Sequence, residues 1–423
     1  MRSTRWTELM GICTVLVAAV SPAAGLQQTV TLPPQTQELR ERPTSVFSVG
    51  KEEGESWELL SRVQGAAFNA QGHLHVLDGA NHRVLVFDPA GKFVREMGGQ
   101  GDGPGEITFA RGIAVTQDGS LVIADLGRAA FSIFAPDGTY QRQMAWGENT
   151  RSAQGFQSDG RSGVFARVNP MLRLEPGQDP ASLPNKAAIR HHPLTEGGTF
   201  RTLFEFELPR PQISASGNAG NQRVEVRMVG APTFSPQVSW GSLPGGGIAL
   251  VDREEYAVRI FDADGKAVRT IARSEKPRAV TERDRDRARD RQRRILSGEV
   301  PGQGGLRVTN ENGRMSYAFA GPPPMQSSEI EERIREMQFA ETMPLVQAIS
   351  TDPTGRIWVE RSTTMEDVGP IELVTADGRY IGTVKGIARP AAVSRDGNSA
   401  AWIETDDLGV ERVVVRALPA SWK

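Results

Sequence analysis

Gly72 and Gly91, Gly119 and Gly138, and Gly246 and Gly265 are each 19 residues apart, and each pair encloses two short apolar runs. The runs are HLHVLD and RVLVFD in the first case, SLVIAD and FSIFAP in the second, and GIALVD and AVRIFD in the third. Glycine accepts the positive φ that a hairpin turn demands, and the Asp, Asn or Pro before it pre-shapes that turn. The pattern therefore predicts strand, tight turn, strand, connection, strand, tight turn, strand.

The same punctuation recurs along the chain. One set of turns falls at 69–72, 116–119, 157–160, 243–246, 352–355 and 394–397, and a second at 88–91, 135–138, 194–197, 262–265 and 375–378. Five units carry both turns, starting near Gly65, Gly112, Ala153, Thr233 and Ala348. A sixth starts at Ala391 and runs out of chain after three strands. Repeats of about 40 residues with four strands each are blades of a β-propeller. The free β-type segment 44–50, TSVFSVG, can supply the missing outer strand, so that the two termini share one blade and leave no open edge. The expected fold is all-β: a six-bladed β-propeller over 44–423, closed by an N-terminal strand joining the C-terminal blade. Segment 26–43 reads as extended, and 274–345, between blades four and five, as a mostly helical insertion.

Residues 1–25 read as a signal peptide. Arg2 and Arg5 precede a short apolar run, 10–20, and then small residues suited to cleavage, SPAAG. That run is too short to be a permanent span. The expected location is periplasmic or secreted, in a bacterial envelope, without an integral membrane segment after signal removal. Cys13 is the sole cysteine and leaves with the signal, so disulfides, thiol nucleophiles and thiolate metal sites are excluded from the mature chain. Charge is balanced, 49 basic residues against 51 acidic, which argues against a nucleic-acid partner.

The segment GGQGDGPGEITFARGIAVTQDGSLVIADLGRAAFSIFAPDG resembles an NHL repeat with its inter-blade linker, and ANHRVLVFDPAGKFVREMG matches the second half of such a repeat. Later stretches, including AVRIFDADGKAVRTI and MPLVQAISTDPTGRIWVER, are similar to a bacterial family of exported six-bladed propellers of mostly unassigned function. The resemblance is specific for fold and carries no single function.

With the four strands of a blade lettered a (innermost) to d (outermost) in chain order, the a–b and c–d turns of a propeller share one face, and here those turns are all tight. The long segments, 98–110, 169–185, 209–232, 274–345 and 361–370, all fall on the opposite face, where binding residues usually sit. Aligning the blades on their a–b turns places Gln64, Arg111, Ser152, Val238, Gln347 and Arg389 at the channel mouth on that face. Gln64, Arg111, Gln347 and Arg389 are the candidate ligand-binding residues, because a guanidinium fork matches carboxylate or phosphate. Pairing with neighbouring acids is the competing role of the two arginines. In the insertion, TERDRDRARDRQRRIL reads as an ion-paired helix. SSEIEERIREMQFA reads as a helix capped by Ser328 and Glu331, whose Ile330, Ile334 and Met337 stripe is expected to pack on the ring's face.

Catalytic residues are not expected. Asp78, Asp125 and Asp252 end strand b in three blades, where an Asp caps the adjacent turn more readily than it binds calcium. His73 and His75 share one face of a strand but lack a third zinc ligand. The inner strands AAFN, GIAV, SWGS, AIST and AAVS hold no His and no Glu, Asn and Asp set. The gluconolactonase-like propellers and the peptide-amidating lyase, which this fold resembles, rely on such ligands there. No cofactor is therefore expected, and calcium or zinc finds no support on the inner strands. By elimination the chain reads as a monomeric binding propeller for a peptide, a glycan or an envelope protein. The alternative is a metal-dependent hydrolase or lyase of the lactonase or amidating-lyase type.

Overall fold

The computed structural model describes residues 28–34, 36–147, 150–170, 182–209, 212–216, 223–227, 231–299, 305–311, 314–320, 325–363 and 368–423. The signal sequence expected at 1–25 lies outside them. Six sheets of four or more strands follow one another along the chain. Blade one comprises Val63–Phe68, Leu74–Asp78, Arg83–Phe87 and Phe93–Gly98. Blade two runs from Ala110–Val115 to Tyr140–Ala145, blade three from Thr150–Ser158 to Arg201–Glu207, and blade four from Ser239–Ser242 to Ala267–Ala272. Blade five runs from Val346–Thr351 to Tyr380–Val384. Blade six is built from Ala392–Val393, Ser399–Thr405 and Glu411–Ala417, with Thr44–Val49 antiparallel to the last of these.

The core is a ring of interfaces. Six apolar clusters each join one blade to the next, all the way round to blades six and one. Strand parity explains why the middle strands are apolar throughout. In Leu74–Asp78, Leu74 and Val76 face blade six, whereas Leu77 faces blade two. Both faces of the strand are thus covered, and all five residues are buried. The outer strand Tyr140–Ala145 has one covered edge and alternates half-buried with exposed. Each buried Val, Leu, Ile or Phe contributes on the order of 1.5–3 kcal/mol, so every interface is stabilised by many such residues.

The segment before the closing strand skirts the rim. Gln28–Thr31 adds a parallel fifth strand to the outer edge of blade four, and Glu38 bridges to Thr383 on the outer edge of blade five. Leu32 and Leu39 anchor this strap in the clusters between blades four and five and between five and six.

The insertion after blade four holds helix α1 (Glu282–Leu296), helix α2 (Ser327–Arg335) and an antiparallel hairpin, Gly305–Glu311 with Arg314–Ala320. It is therefore mixed, with 15 and 9 residues in its helices, and not mostly helical. Its base pairs Arg278–Ala279 with Thr342–Met343, and Leu345 donates its N–H to Glu254 O in the b–c connection of blade four. Along α1, Arg285, Arg289 and Arg293 pair with Glu282, Asp286 and Asp290, as expected of an ion-paired helix. Two expectations for α2 are corrected. Its cap is Gln326, whose N–H is held by Glu329 Oε2 at 3.2 Å, two residues earlier than Ser328 and Glu331. Its buried Ile330 and Ile334 pack on Leu296 of α1, with Met337 alongside; the apolar partner surface is the other helix and not the ring. Among the described residues no helix is long and apolar enough to cross a membrane.

Candidate functional site

The inner strands of the six blades surround a central cavity of ≈ 840 Å³. Small residues dominate its wall, among them Gly65, Ala66, Gly112, Ala114 and Ala391. The glycines serve packing between blades at the hub. A Cβ on Gly112 would stand 3.2 Å from Phe156 Cβ in blade three, and one on Gly241 only 2.3 Å from Thr351 Oγ1 in blade five.

At the mouth on the face of the long connections, Gln64 and Arg111 both line the cavity, and Arg111 Nη1 donates to Gln64 Oε1 at 3.2 Å. The Arg111 guanidinium also lies 5.8 Å from the centre of the Phe109 ring. Burial, with the nearby positive charge of Arg62, lowers the pKa of Arg111 from its ordinary value.

The other candidates are arranged differently. Arg389 donates from Nε to Glu360 Oε2 at 2.8 Å and from Nη1 to Ile349 O at 3.1 Å, so it ties blade six to blade five. Gln347 is exposed and lies outside the cavity lining. Val238 packs in the cluster between blades three and four. Ser152 has no described side chain, and its alignment also changes. The a–b turn of blade three begins at Asp159, not at Gln157, because Asp159 N bonds Gly163 O as Asn69 N bonds His73 O in blade one. An irregularity between Gln154 and Gln157, with Gly155 at φ +58°, absorbs the difference.

The first residue of the a–b turn has a repeated task. Asn69 Oδ1 accepts from Gln71 N and His73 N, and Asp159 Oδ1 accepts from Arg161 N and Gly163 N. Asp352 Oδ1 holds Thr354 N, while its Oδ2 takes Arg356 Nε at 2.7 Å and Trp358 Nε1 at 3.1 Å. Asp159 Oδ2 is bonded to His191 Nε2 at 2.8 Å. Burial acts to raise the Asp159 pKa, but His191 and the Gly163 and Arg161 amides outweigh it and hold the carboxyl below its ordinary range.

The strand-b aspartates are structural as well. Asp125 accepts from Thr108 N and Phe109 N, in the linker entering the inner strand, and from Gly127 N in the following turn, each at 2.9 Å. Asp78 accepts from Ser61 N and Arg83 Nε, and Asp252 faces Arg259. His75 is buried and its pKa is lowered to about 4, first by desolvation. Among the described residues no three His, Cys, Asp or Glu side chains converge as a metal site would require.

Sequence reasoning missed the opposite mouth. There the second residue of each a–b turn rims the cavity, with Gln117, Gly160, Pro244, Pro353 and Arg395 in five blades and Arg161 beside Gly160. Reading that single column across the six turns would have exposed Arg395, with Arg161 one place further along its own turn.

A family model described as a six-bladed β-propeller matches residues 59–144. The RING finger protein nhl-1 of Caenorhabditis elegans is 42% identical over 76 residues, which is 18% of this chain and 7% of that protein. The chain therefore matches only a small part of that relative's length. Among solved structures, a Bacteroides fragilis protein described as exported is 10% identical with a TM-score of 0.46, covering 93% of this chain and 99% of that one. A Xanthomonas campestris gluconolactonase is 13% identical with a TM-score of 0.38, covering 85% and 87%. The sheet order and the family-model match over residues 59–144 together identify the chain as a six-bladed β-propeller.

Proposed function

We propose that the chain is an exported binding propeller that takes a carboxylate- or phosphate-bearing ligand at the channel mouth on the face of the long connections. The observation that carries this reading is the pairing of Gln64 with Arg111 in the cavity wall. Gln64 Oε1 occupies one donor of the guanidinium and sets its plane, and the fork geometry suits a two-oxygen anion. Lowering of the Arg111 pKa by burial and Arg62 means that an arriving anion would relieve an existing electrostatic cost. The wide, small-residue channel behind it leaves room for the rest of an elongated ligand such as a glycan or peptide.

The test is a screen of acidic glycans and peptides against wild-type protein, followed by Arg111→Gln and Gln64→Leu on whatever binds. Arg111→Gln is expected to weaken binding at least tenfold, and Gln64→Leu by less. Unchanged affinity in Arg111→Gln would place the ligand elsewhere.

A further inference from the structure

Charge along the channel is unevenly compensated. Its charged wall residues are Arg111, Arg161, Arg395, Asp159 and Asp352. Both carboxylates are already engaged, Asp159 by His191 and two amides, and Asp352 by Arg356, Trp358 and its own turn. The acids in the turns beside the two rim arginines are engaged too. Asp118 bonds Thr116 and Ser120, and Asp396 bonds Ser394 and Asn398. Among the described residues no carboxylate pairs with Arg161 or Arg395.

Arg161 belongs to blade three and Arg395 to blade six. In a ring of six these blades are diametrically opposed, so the two guanidiniums stand on opposite sides of one aperture. Backbone bonding fixes the rim that carries them. Gln117 N donates to Arg161 O at 2.7 Å, tying the turns of blades two and three, while Gly397 N closes on Ser394 O at 2.9 Å. The remaining rim positions are uncharged. A monovalent anion reaching one arginine leaves the other uncompensated, whereas a ligand with separated negative groups satisfies both.

We propose that the a–b-turn mouth of the channel is a second anion site, in which Arg161 and Arg395 hold from opposite sides a ligand bearing two or more carboxylate or phosphate groups. The site uses residues distinct from Gln64 and Arg111 and stands or fails separately from them. Because Arg161 is exposed and Arg395 half-exposed, the attraction is screened and binding weakens as salt rises.

Isothermal titration of the purified chain at low salt tests it, with citrate and pyrophosphate as the polycarboxylate and phosphate probes and acetate as the monovalent comparison. At least one multivalent probe is expected to bind at one per chain, with acetate binding at least tenfold more weakly. Citrate alone would mark a polycarboxylate ligand, pyrophosphate alone a phosphorylated one, and both would mark recognition by charge spacing. Arg161→Gln and Arg395→Gln should each weaken the bound probe about tenfold, with unchanged melting of the unliganded protein, and Arg111→Gln should leave it unaffected. Absence of binding by both multivalent probes overturns the proposal. So does wild-type affinity in either the Arg161→Gln or the Arg395→Gln variant, or a loss confined to Arg111→Gln.

Discussion

Arg273 donates from Nε to Glu372 Oε2 across 3.1 Å, with the two side chains only 1% and 2% exposed, at the seam between blades four and five. The same guanidinium reaches Pro33 O in the N-terminal strap, and Arg361 Nη1 bonds the other oxygen of Glu372 at 3.0 Å. One buried carboxylate therefore serves two arginines and, through Arg273, the strap. Glu372→Ala is expected to cost about 3–5 kcal/mol, because it strands Arg273 without a counter-charge. The paired change Arg273→Met with Glu372→Leu should cost much less, since Arg361 keeps Glu275. Urea denaturation of the three proteins checks the ordering, and a double variant less stable than Glu372→Ala contradicts it.

His75 and His192 make the fold sensitive to mild acid. Burial is the first cause that lowers each to about 4, aided by Arg95 and His73 around His75 and by Arg190 and His191 around His192. The unfolded chain takes up these protons near pH 6.5 and the folded chain only near pH 4. Stability is therefore intact above about pH 6.5 and declines as pH falls towards 4, by at most on the order of 3 kcal/mol per histidine. His192 lies edge-on to Phe131 at 5.1 Å between ring centres, so His192→Phe keeps an aromatic there. Melting temperature against pH should fall less steeply between 6.5 and 4 in that variant; an unaltered slope would remove His192 as a cause.

The number of blades and the strands within them were legible because apolar runs bounded by glycine turns depend only on local chemistry. Blade three was legible as a blade but not in register, since a bulge at Gly155 inserts residues without disturbing the apolar pattern. Arg389 shows a second limit. Its place beside the inner strand was readable, but its partner Glu360 lies on another blade, 29 residues away, and a blade alignment does not reveal such pairing. Arg161 and Arg395 stayed hidden for the opposite reason: they occupy tight turns, which were read only for shape.

The hub should tolerate no side chain at Gly241. Its backbone is in an ordinary conformation, so the constraint is space: a Cβ would meet Thr351 Oγ1 at 2.3 Å and Cγ2 at 2.6 Å. Thr351 is β-branched and held in an inner strand, so it cannot swing away freely. Gly241→Ala is expected to cost about 1–3 kcal/mol through overpacking. Thr351→Ser combined with Gly241→Ala should recover part of that loss, and thermal melts of the single and double variants measure it.

Closure of the ring can be weighed by removing the strand that joins the termini. Thr44–Val49 pairs along Glu411–Ala417 from Thr44 opposite Ala417 to Val49 opposite Val413, and Val49 is buried with Val413 and Val415 between blades six and one. Deleting residues 1–49 leaves Glu411–Ala417 as an open, β-branched edge. It also strips Leu32 and Leu39 from two neighbouring interfaces. Two consequences are expected together: a lowered melting temperature, and concentration-dependent association as the bare edge seeks a partner strand. Supplying a peptide of sequence TSVFSV in trans should raise the melting temperature and suppress association, because it restores the same ladder. A truncated protein that melts like the full chain and stays monomeric would show that the ring holds without the strap and the closing strand.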